Sequence, residues 1–433
     1  MSDSENTFIK GILLLYHHPL ETDAATVMEN VNAFDYSKFN VWKVNTAFGF
    51  PPSLNDAQFE IVVLHYSIFG NWPYAISQPF LDYVASCRSY KIAFFQDEHH
   101  YCRERFEFLN RYAVNCVYTL VEPQHFKDVY LKYTSVATLV NYIPGYVADD
   151  LVAAAAKMYV PEDRRTTDVG YRGRPLPFYM GEGAQEKTRI GVQFRQCAND
   201  SGLRLDIETD EGQRIYGKQW HKFIANCRSM LGVEAGVSIF DLDGQARKEV
   251  QQVLADNPSI DFTEISEKVL SRWEGNLYYR TISPRHFEAA AFRVCQILFE
   301  GRYSGIMKPL VHYIPLKKDF SNFDECVRMF QDKSIREEIT DNAYNDLIES
   351  GRYSYRSFMT SFDKVLAEAG LAPSRFSTRA ESVLRQISRD TRWLELHSKK
   401  NNLIYSDFPG RRPLAALGGP VLRALRKLKR DIA

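Results

Sequence analysis

Short apolar runs alternate with amphipathic stretches along the first third of the chain. The runs fall at 12–16, 41–45, 61–66, 92–96, 116–120 and 136–140. None alternates apolar with polar at period two, so each reads as a strand buried on both faces of a parallel sheet. Between them, 24–34, 79–87, 103–112 and 124–133 carry apolar residues at helical spacing. Regular strand-then-helix order implies right-handed crossovers and a doubly wound domain, expected over residues 1–160.

A second alternating set occupies 161–345. The pattern predicts strands at 168–172, 203–207, 236–240, 296–299 and 311–314. It predicts helices at 184–197, 218–231 and 285–293, with a helical insertion over 245–280. Beyond 346 the chain reads as helical: 353–370 closes on Gly370, and 378–396 opens with Thr378 and Glu381 at capping-box spacing. The expected fold class is therefore α/β, with two Rossmann-like doubly wound domains and a helical C-terminal segment, 346–433, packing back across them. Its last part, 411–433, holds seven basic residues and one acid, with Val421, Leu422, Leu425, Leu428 and Ile432 on one helical face. Such a helix either docks on the protein or makes peripheral contact with an anionic membrane.

Lysine plus arginine equals aspartate plus glutamate, 54 each. Zero net charge argues against a chain that coats nucleic acid. The seven cysteines are odd in number, form no C-x-x-C pair and sit mostly in apolar runs, as reduced core residues do. The apolar run at 12–16 is too short for a signal or spanning segment. A cytoplasmic protein is expected.

Parallel sheets bind ligands outside the carboxyl ends of their strands. Strand one is followed by His17 and His18, strand three by His65 and Tyr66, strand four by Asp97, Glu98, His99 and His100. These are candidate acid–base groups or sugar ligands, or else plain loop residues; no spacing among them matches a metal site. In the second domain the first strand leads into Arg172, Gly173 and Arg174. Gly181-Glu182-Gly183 then opens a helix carrying Lys187. A glycine turn at a helix N-terminus with basic neighbours can hold a diphosphate. Glu288 lies in the first turn of the Ala-rich helix at 285–293, where a carboxylate can accept both hydroxyls of a ribose or simply complement the helix dipole.

Together these motifs resemble the GT-B glycosyltransferases, in particular the CgeB-like, family-4-like group. The resemblance covers two-thirds or more of the chain. It rests on 171–174, on 214–220 (Arg-Ile-Tyr-Gly-Lys-Gln-Trp), on 285–291 (Arg-His-Phe-Glu-Ala-Ala-Ala) and on 312–316 with Asp319. It implies a glycosyltransferase moving sugar from a nucleotide sugar to a glycan or lipid-linked acceptor, without metal or other cofactor, in polysaccharide biosynthesis. It implies donor binding by Arg174, Lys187, Tyr216, Gly217, Arg285 and Glu288, with Glu288 on the ribose and 216–220 near the base. Asp97, His18 and His65 are the candidate catalytic groups for an acceptor on the first domain. Two positions depart from the group: Arg280 stands where retaining relatives carry a second glutamate, and Arg293 where a glycine is common.

One motif points elsewhere. Ser238-Ile-Phe-Asp-Leu-Asp-Gly244 is similar to the opening of haloacid-dehalogenase phosphatases, in which the residues matching Asp241 and Asp243 work with Mg²⁺. That alternative is a phosphohydrolase; a catalytically inactive, sugar-nucleotide-binding homologue is a third.

Overall fold

The computed structural model describes residues 6–20, 25–70, 72–374 and 377–406; the expected tail helix at 411–433 lies outside these. The first domain is a six-stranded, wholly parallel sheet: β1 (Thr7–Tyr16), β2 (Val41–Asn45), β3 (Ala57–Leu64), β4 (Tyr90–Phe94), β5 (Cys116–Thr119) and β6 (Thr138–Asn141), ordered β2-β1-β3-β4-β5-β6. Helices α1 (Ala25–Ala33), α2 (Gln78–Ser86) and α3 (Cys102–Arg111) cross over between strands. The uninterrupted apolar runs have the predicted cause. Along β1, Ile9, Leu13 and Leu15 enter one core while Ile12 and Leu14 enter another on the opposite face.

After α4 (Asp149–Lys157) comes a five-stranded parallel sheet. Its strands are β7 (Thr167–Arg172), β8 (Leu205–Glu208), β9 (Cys227–Gly232), β12 (Cys295–Phe299) and β13 (Ile314–Leu316), ordered β13-β12-β9-β7-β8. Around it lie α5 (Glu182–Cys197), α6 (Gly217–Ala225), α9 (Pro284–Ala291), α10 (Phe323–Gln331) and α11 (Lys333–Tyr344). The insertion contains α7 (Gln245–Asp256) and α8 (Phe262–Ile265), flanked by a two-stranded antiparallel ribbon of β10 (Ala235–Val237) and β11 (Tyr279–Thr281). The fold is the expected α/β class with two Rossmann-like domains.

Two predicted elements change type or sheet, and the strand expected at 311–314 begins only at Ile314. The helix expected over 218–231 ends at Ala225, and Cys227–Gly232 is a central strand. That segment contains no β-branched residue, so local propensity favours helix while burial between β7 and β12 decides for strand. The strand expected at 236–240 shrinks to the ribbon, outside the main sheet. Leu151 and Ala155 of α4 pack in the same core as Ile224 and Leu298 of the second sheet's layer.

The C-terminal helices return to the first domain. Phe358 and Phe362 of α12 (Tyr355–Glu368) pack on Phe94 and Tyr118, at centroid separations of 5.8–6.3 Å. Ala380, Leu384 and Ile387 of α13 (Thr378–Ser406) enter the core on the other face. Phe362 is fully buried. F362A is therefore expected to destabilise the first domain by about 3–5 kcal/mol, read as a lower urea midpoint; an unchanged midpoint would mean α12 is undocked in solution.

Candidate functional site

Both sheets have a topological switch point, where successive crossovers leave in opposite directions and the carboxyl ends open a crevice. In the first sheet it lies between β1 and β3, in the second between β7 and β9. A cavity of about 240 Å³ occupies the second crevice. Its wall includes Tyr171 near the end of β7, Gly173 and Arg174 just after it, Met230 to Val233 at the end of β9, Ser283, Arg285, His286 and Ala289 of α9 and its cap, and Lys187 of α5. Arg214 closes one side.

The cavity is strongly cationic. Arg174 and Arg214 share one acid, Glu211, at 3.9 and 2.6 Å. Arg285 lies over the Trp220 ring, 5.0 Å from its centroid, and donates to the Arg172 carbonyl. The Lys187 ammonium has no hydrogen bond or ion pair among the described residues. Burial first, then the nearby charge of Arg280, Arg285 and Arg174, bring its pKa down to about 8, with Asp97 opposing. An ammonium held among like charges without a counter-ion is poised for an anion.

Glu288 sits beyond Arg285 on the same helix. Trp220 Nε1 donates to its Oε2 at 2.7 Å, which fixes the carboxylate while Oε1 has no partner among the described residues. Across the cleft stands Glu29 of α1, whose pKa is raised by burial and then by the charges of Glu288 and Asp150. Tyr216 lies just outside the cavity, in a groove with Asp206 and Gln219; Gly217 lines neither space, and Arg214 lines both.

The helix opened by Gly181-Glu182-Gly183 is not a phosphate cradle. The Glu182 N–H donates to Glu274 Oε2 (3.1 Å) and the Gly183 N–H to Ser238 Oγ (2.8 Å). Arg280 also has a structural place, buried in an ion pair with Glu186 at 2.6 Å; Lys318 holds the other oxygen of Glu186 at 2.7 Å.

The first-domain candidates separate. The Asp97 side chain is exposed in the cleft without a hydrogen bond among the described residues, close enough to favour the charged form of Lys187. His65 is fully buried within its own domain. Its ring nitrogens meet Ser67 Oγ at 2.9 Å and Asn30 Oδ1 at 3.0 Å, and burial lowers its pKa to about 3. It is a structural residue and does not reach the cleft, which corrects its candidacy as a base. His18 is half-buried at the first switch point, its main chain pinned by Asn45 at 3.0 and 2.7 Å. His99 is buried with both ring nitrogens unpartnered among the described residues, and burial lowers the pKa of His100 to about 4.

Four residues take places that the sequence did not assign them, although Glu98 follows strand four and His286 lies in the 285–291 motif. Tyr279 reaches from the second domain into the loop after β4, where its hydroxyl donates to the Gln96 carbonyl and accepts from the Glu98 N–H at 3.3 Å. Arg105, buried in α3, donates to the carbonyls of Asp97 (2.5 Å), Gly70 (2.7 Å) and Phe69. Glu98 accepts from Thr119 Oγ1, Tyr130 OH and the Leu120 N–H at 2.5–2.6 Å, and burial still raises its pKa to about 7. The fourth is His286.

The phosphohydrolase alternative meets a definite obstacle. Both Asp241 oxygens accept N–H groups opening α7, from Ala246 (3.1 Å) and Arg247 (2.8 Å), and Asp243 pairs with Arg103 at 2.6 Å. The two carboxylates cap a helix and tie the domains together, and neither stands free to attack phosphorus.

The sequence matches no protein-family profile and no curated protein. Solved structures do resemble the fold. One is an alpha-glucosyltransferase in complex with UDP and a 13-mer DNA containing an A:G mismatch; the identity is 10%, the TM-score 0.48, and the match covers 82% of this chain and 98% of that one. Another is Anabaena HepE in complex with UDP, at 11% identity, TM-score 0.45 and coverage of 83% and 100%. A third is sucrose-phosphate synthase from Thermosynechococcus elongatus, at 10% identity, TM-score 0.39 and coverage of 72% and 74%. Matches this distant assign neither substrate nor chemistry.

Lys187 supplies a test of the cavity's charge. A depressed lysine pKa disfavours folding fully below about pH 8, and the penalty fades as pH rises toward the unfolded value near 10.5. K187M is expected to melt no lower than wild type at pH 7, with the difference between them shrinking above pH 8. Pyrophosphate should raise the wild-type melting temperature and leave the variant's nearly unmoved. Equal stabilisation of both by pyrophosphate would remove Lys187 from the anion site.

Proposed function

We propose that this chain is a glycosyltransferase that moves a sugar from a nucleotide-sugar donor to an acceptor hydroxyl without a metal ion. The observation that carries the reading is the cationic cavity at the β7–β9 switch point, facing the strand ends of the first domain across the cleft. Arg174, Lys187 and Arg285 would neutralise the diphosphate, so that leaving-group charge develops against fixed cations. Glu288, oriented by Trp220, would hold the ribose through its free oxygen, with Tyr216 and Gly217 toward the base. The resemblance of 171–174, 214–220 and 285–291 to the CgeB-like group supports the same roles.

In the proposed reaction the bond between the sugar's anomeric carbon and the diphosphate oxygen breaks as the acceptor oxygen bonds to that carbon. Asp97 takes the acceptor's proton, and the nucleoside diphosphate leaves. Asp97 suits this role because it is exposed to the cleft, faces the cations and is held by its backbone rather than its carboxylate. A glycan or lipid-linked acceptor on the first domain, in cytoplasmic polysaccharide biosynthesis, belongs to the proposal. Among the described residues no helix is long and apolar enough to cross a membrane.

A screen of nucleotide sugars in EDTA, read as nucleoside diphosphate release, tests the activity. Nucleotide binding without turnover for every donor would favour the inactive homologue. D97N is expected to lower kcat by about 10²-fold or more with donor affinity within about threefold; an unchanged kcat would leave the base to another group. E288Q should weaken nucleotide binding at least about tenfold, since hydrogen bonds to a charged acceptor are worth ~1.5–3 kcal/mol, at a near wild-type melting temperature. Equal nucleotide affinity by calorimetry would sink the ribose assignment.

A further inference from the structure

The N-terminus of α9 faces the cavity, yet its N–H groups are already taken. The Ser283 N–H donates to His286 Nδ1 at 2.9 Å, Pro284 has no N–H, and the Arg285 N–H points to Ser283 Oγ at 3.3 Å. The His286 N–H donates to the Ser283 carbonyl at 3.0 Å. A capping box thus uses the donors that a helix start ordinarily offers to an anion.

The same box has a second consequence. Nδ1 of His286 accepts, so in the neutral ring the proton sits on Nε2. Nε2 has no hydrogen-bond partner among the described residues, although the residue is only 3% exposed and lines the cavity. Gly232 leaves the space in front of it: a Cβ there would stand 3.1 Å from Nε2. The ring cannot turn away easily. Tyr303 packs edge-on at 5.1 Å, and Gln296 Nε2 holds the His286 carbonyl at 3.1 Å.

We infer that His286 is a ligand-binding residue whose Nε2–H donates to a phosphate oxygen of the bound nucleoside diphosphate, taking the place of the helix N–H groups its own Nδ1 helps to occupy. The inference rests on the nucleotide reading of the cavity. A phosphate oxygen is the fitting acceptor because the ring lies one residue from Arg285, in a cavity whose other walls carry Arg174, Lys187 and Arg214. Burial keeps the ring neutral, with a pKa of about 3, so the donor is present throughout the physiological range.

Two substitutions separate capping from ligand binding. In H286N the amide oxygen can still accept the Ser283 N–H, but no donor reaches the Nε2 position. In H286Q the amide nitrogen reaches that position while the cap is weakened. Uridine, guanosine and adenosine diphosphates, the matching nucleosides and inorganic pyrophosphate are titrated calorimetrically into the full-length proteins, with melting temperatures recorded. H286N is expected to bind the preferred nucleoside diphosphate at least about tenfold more weakly than wild type, with nucleoside affinity unchanged. H286Q should stay within about threefold for both, even at a lower melting temperature. A folded H286N that binds the diphosphate as tightly as wild type, or that loses nucleoside and diphosphate affinity equally, overturns the assignment. Wild-type protein that binds pyrophosphate but no nucleoside diphosphate sinks the nucleotide reading alone, and the variants then judge His286 against pyrophosphate. Wild-type protein that binds none of these probes overturns both.

Discussion

The Tyr279 hydroxyl sits between the Gln96 carbonyl and the Glu98 N–H, and the cleft depends on it. Tyr279 comes from the ribbon of the second domain and enters the loop after β4 of the first. Around it Met180, Ala184, Val237, Phe240 and Leu277 merge with the first domain's own core. A polar group in that apolar seam must find its partners there, since an unsatisfied buried hydroxyl is costly. The partners it finds are main-chain atoms on either side of Asp97. The domains are thereby joined at the point where the candidate base stands.

Arg105 fixes the same loop from behind. Its guanidinium gathers the carbonyls of Phe69, Gly70 and Asp97, so the segments after β3 and β4 share one anchor. A buried guanidinium surrounded by carbonyls is stable because each of its nitrogens donates to a carbonyl and no second charge must be desolvated. Glu98 completes the arrangement with three donors of its own. The charged residues deepest in this loop therefore hold the backbone, which leaves the Asp97 carboxylate free in the cleft.

The second domain shows the complementary economy. The ionic groups that look chemical in isolation, Glu186, Arg280, Asp241 and Asp243, pair with one another, with neighbouring cations or with helix N–H groups. Arg174 and Arg214, which share Glu211, line one crevice with Arg285 and Lys187. Buried charge is costly unless matched, and burial with the neighbouring cations brings the pKa of the Lys187 ammonium down to about 8.

The sequence by itself determined the parallel sheet of the first domain and the α/β class of the second, because a strand buried on both faces favours an unbroken apolar run. It also pointed to Arg174 and Arg285, which the structure sets on one cavity wall with Lys187, since strand ends and helix starts are where a parallel sheet exposes side chains. The central strand Cys227–Gly232 escaped because its residues suit a helix and only its neighbours make it a strand. Direction was equally hidden. His65 and Asp97 both follow strands, yet one ring turns inward to Ser67 and Asn30 while the other carboxylate faces the cleft. Spacing along the chain cannot tell these apart, because partners such as Asn30 lie tens of residues away. Tyr279 and His286 became functional candidates only once the tertiary structure set them beside another domain's loop and a cavity wall.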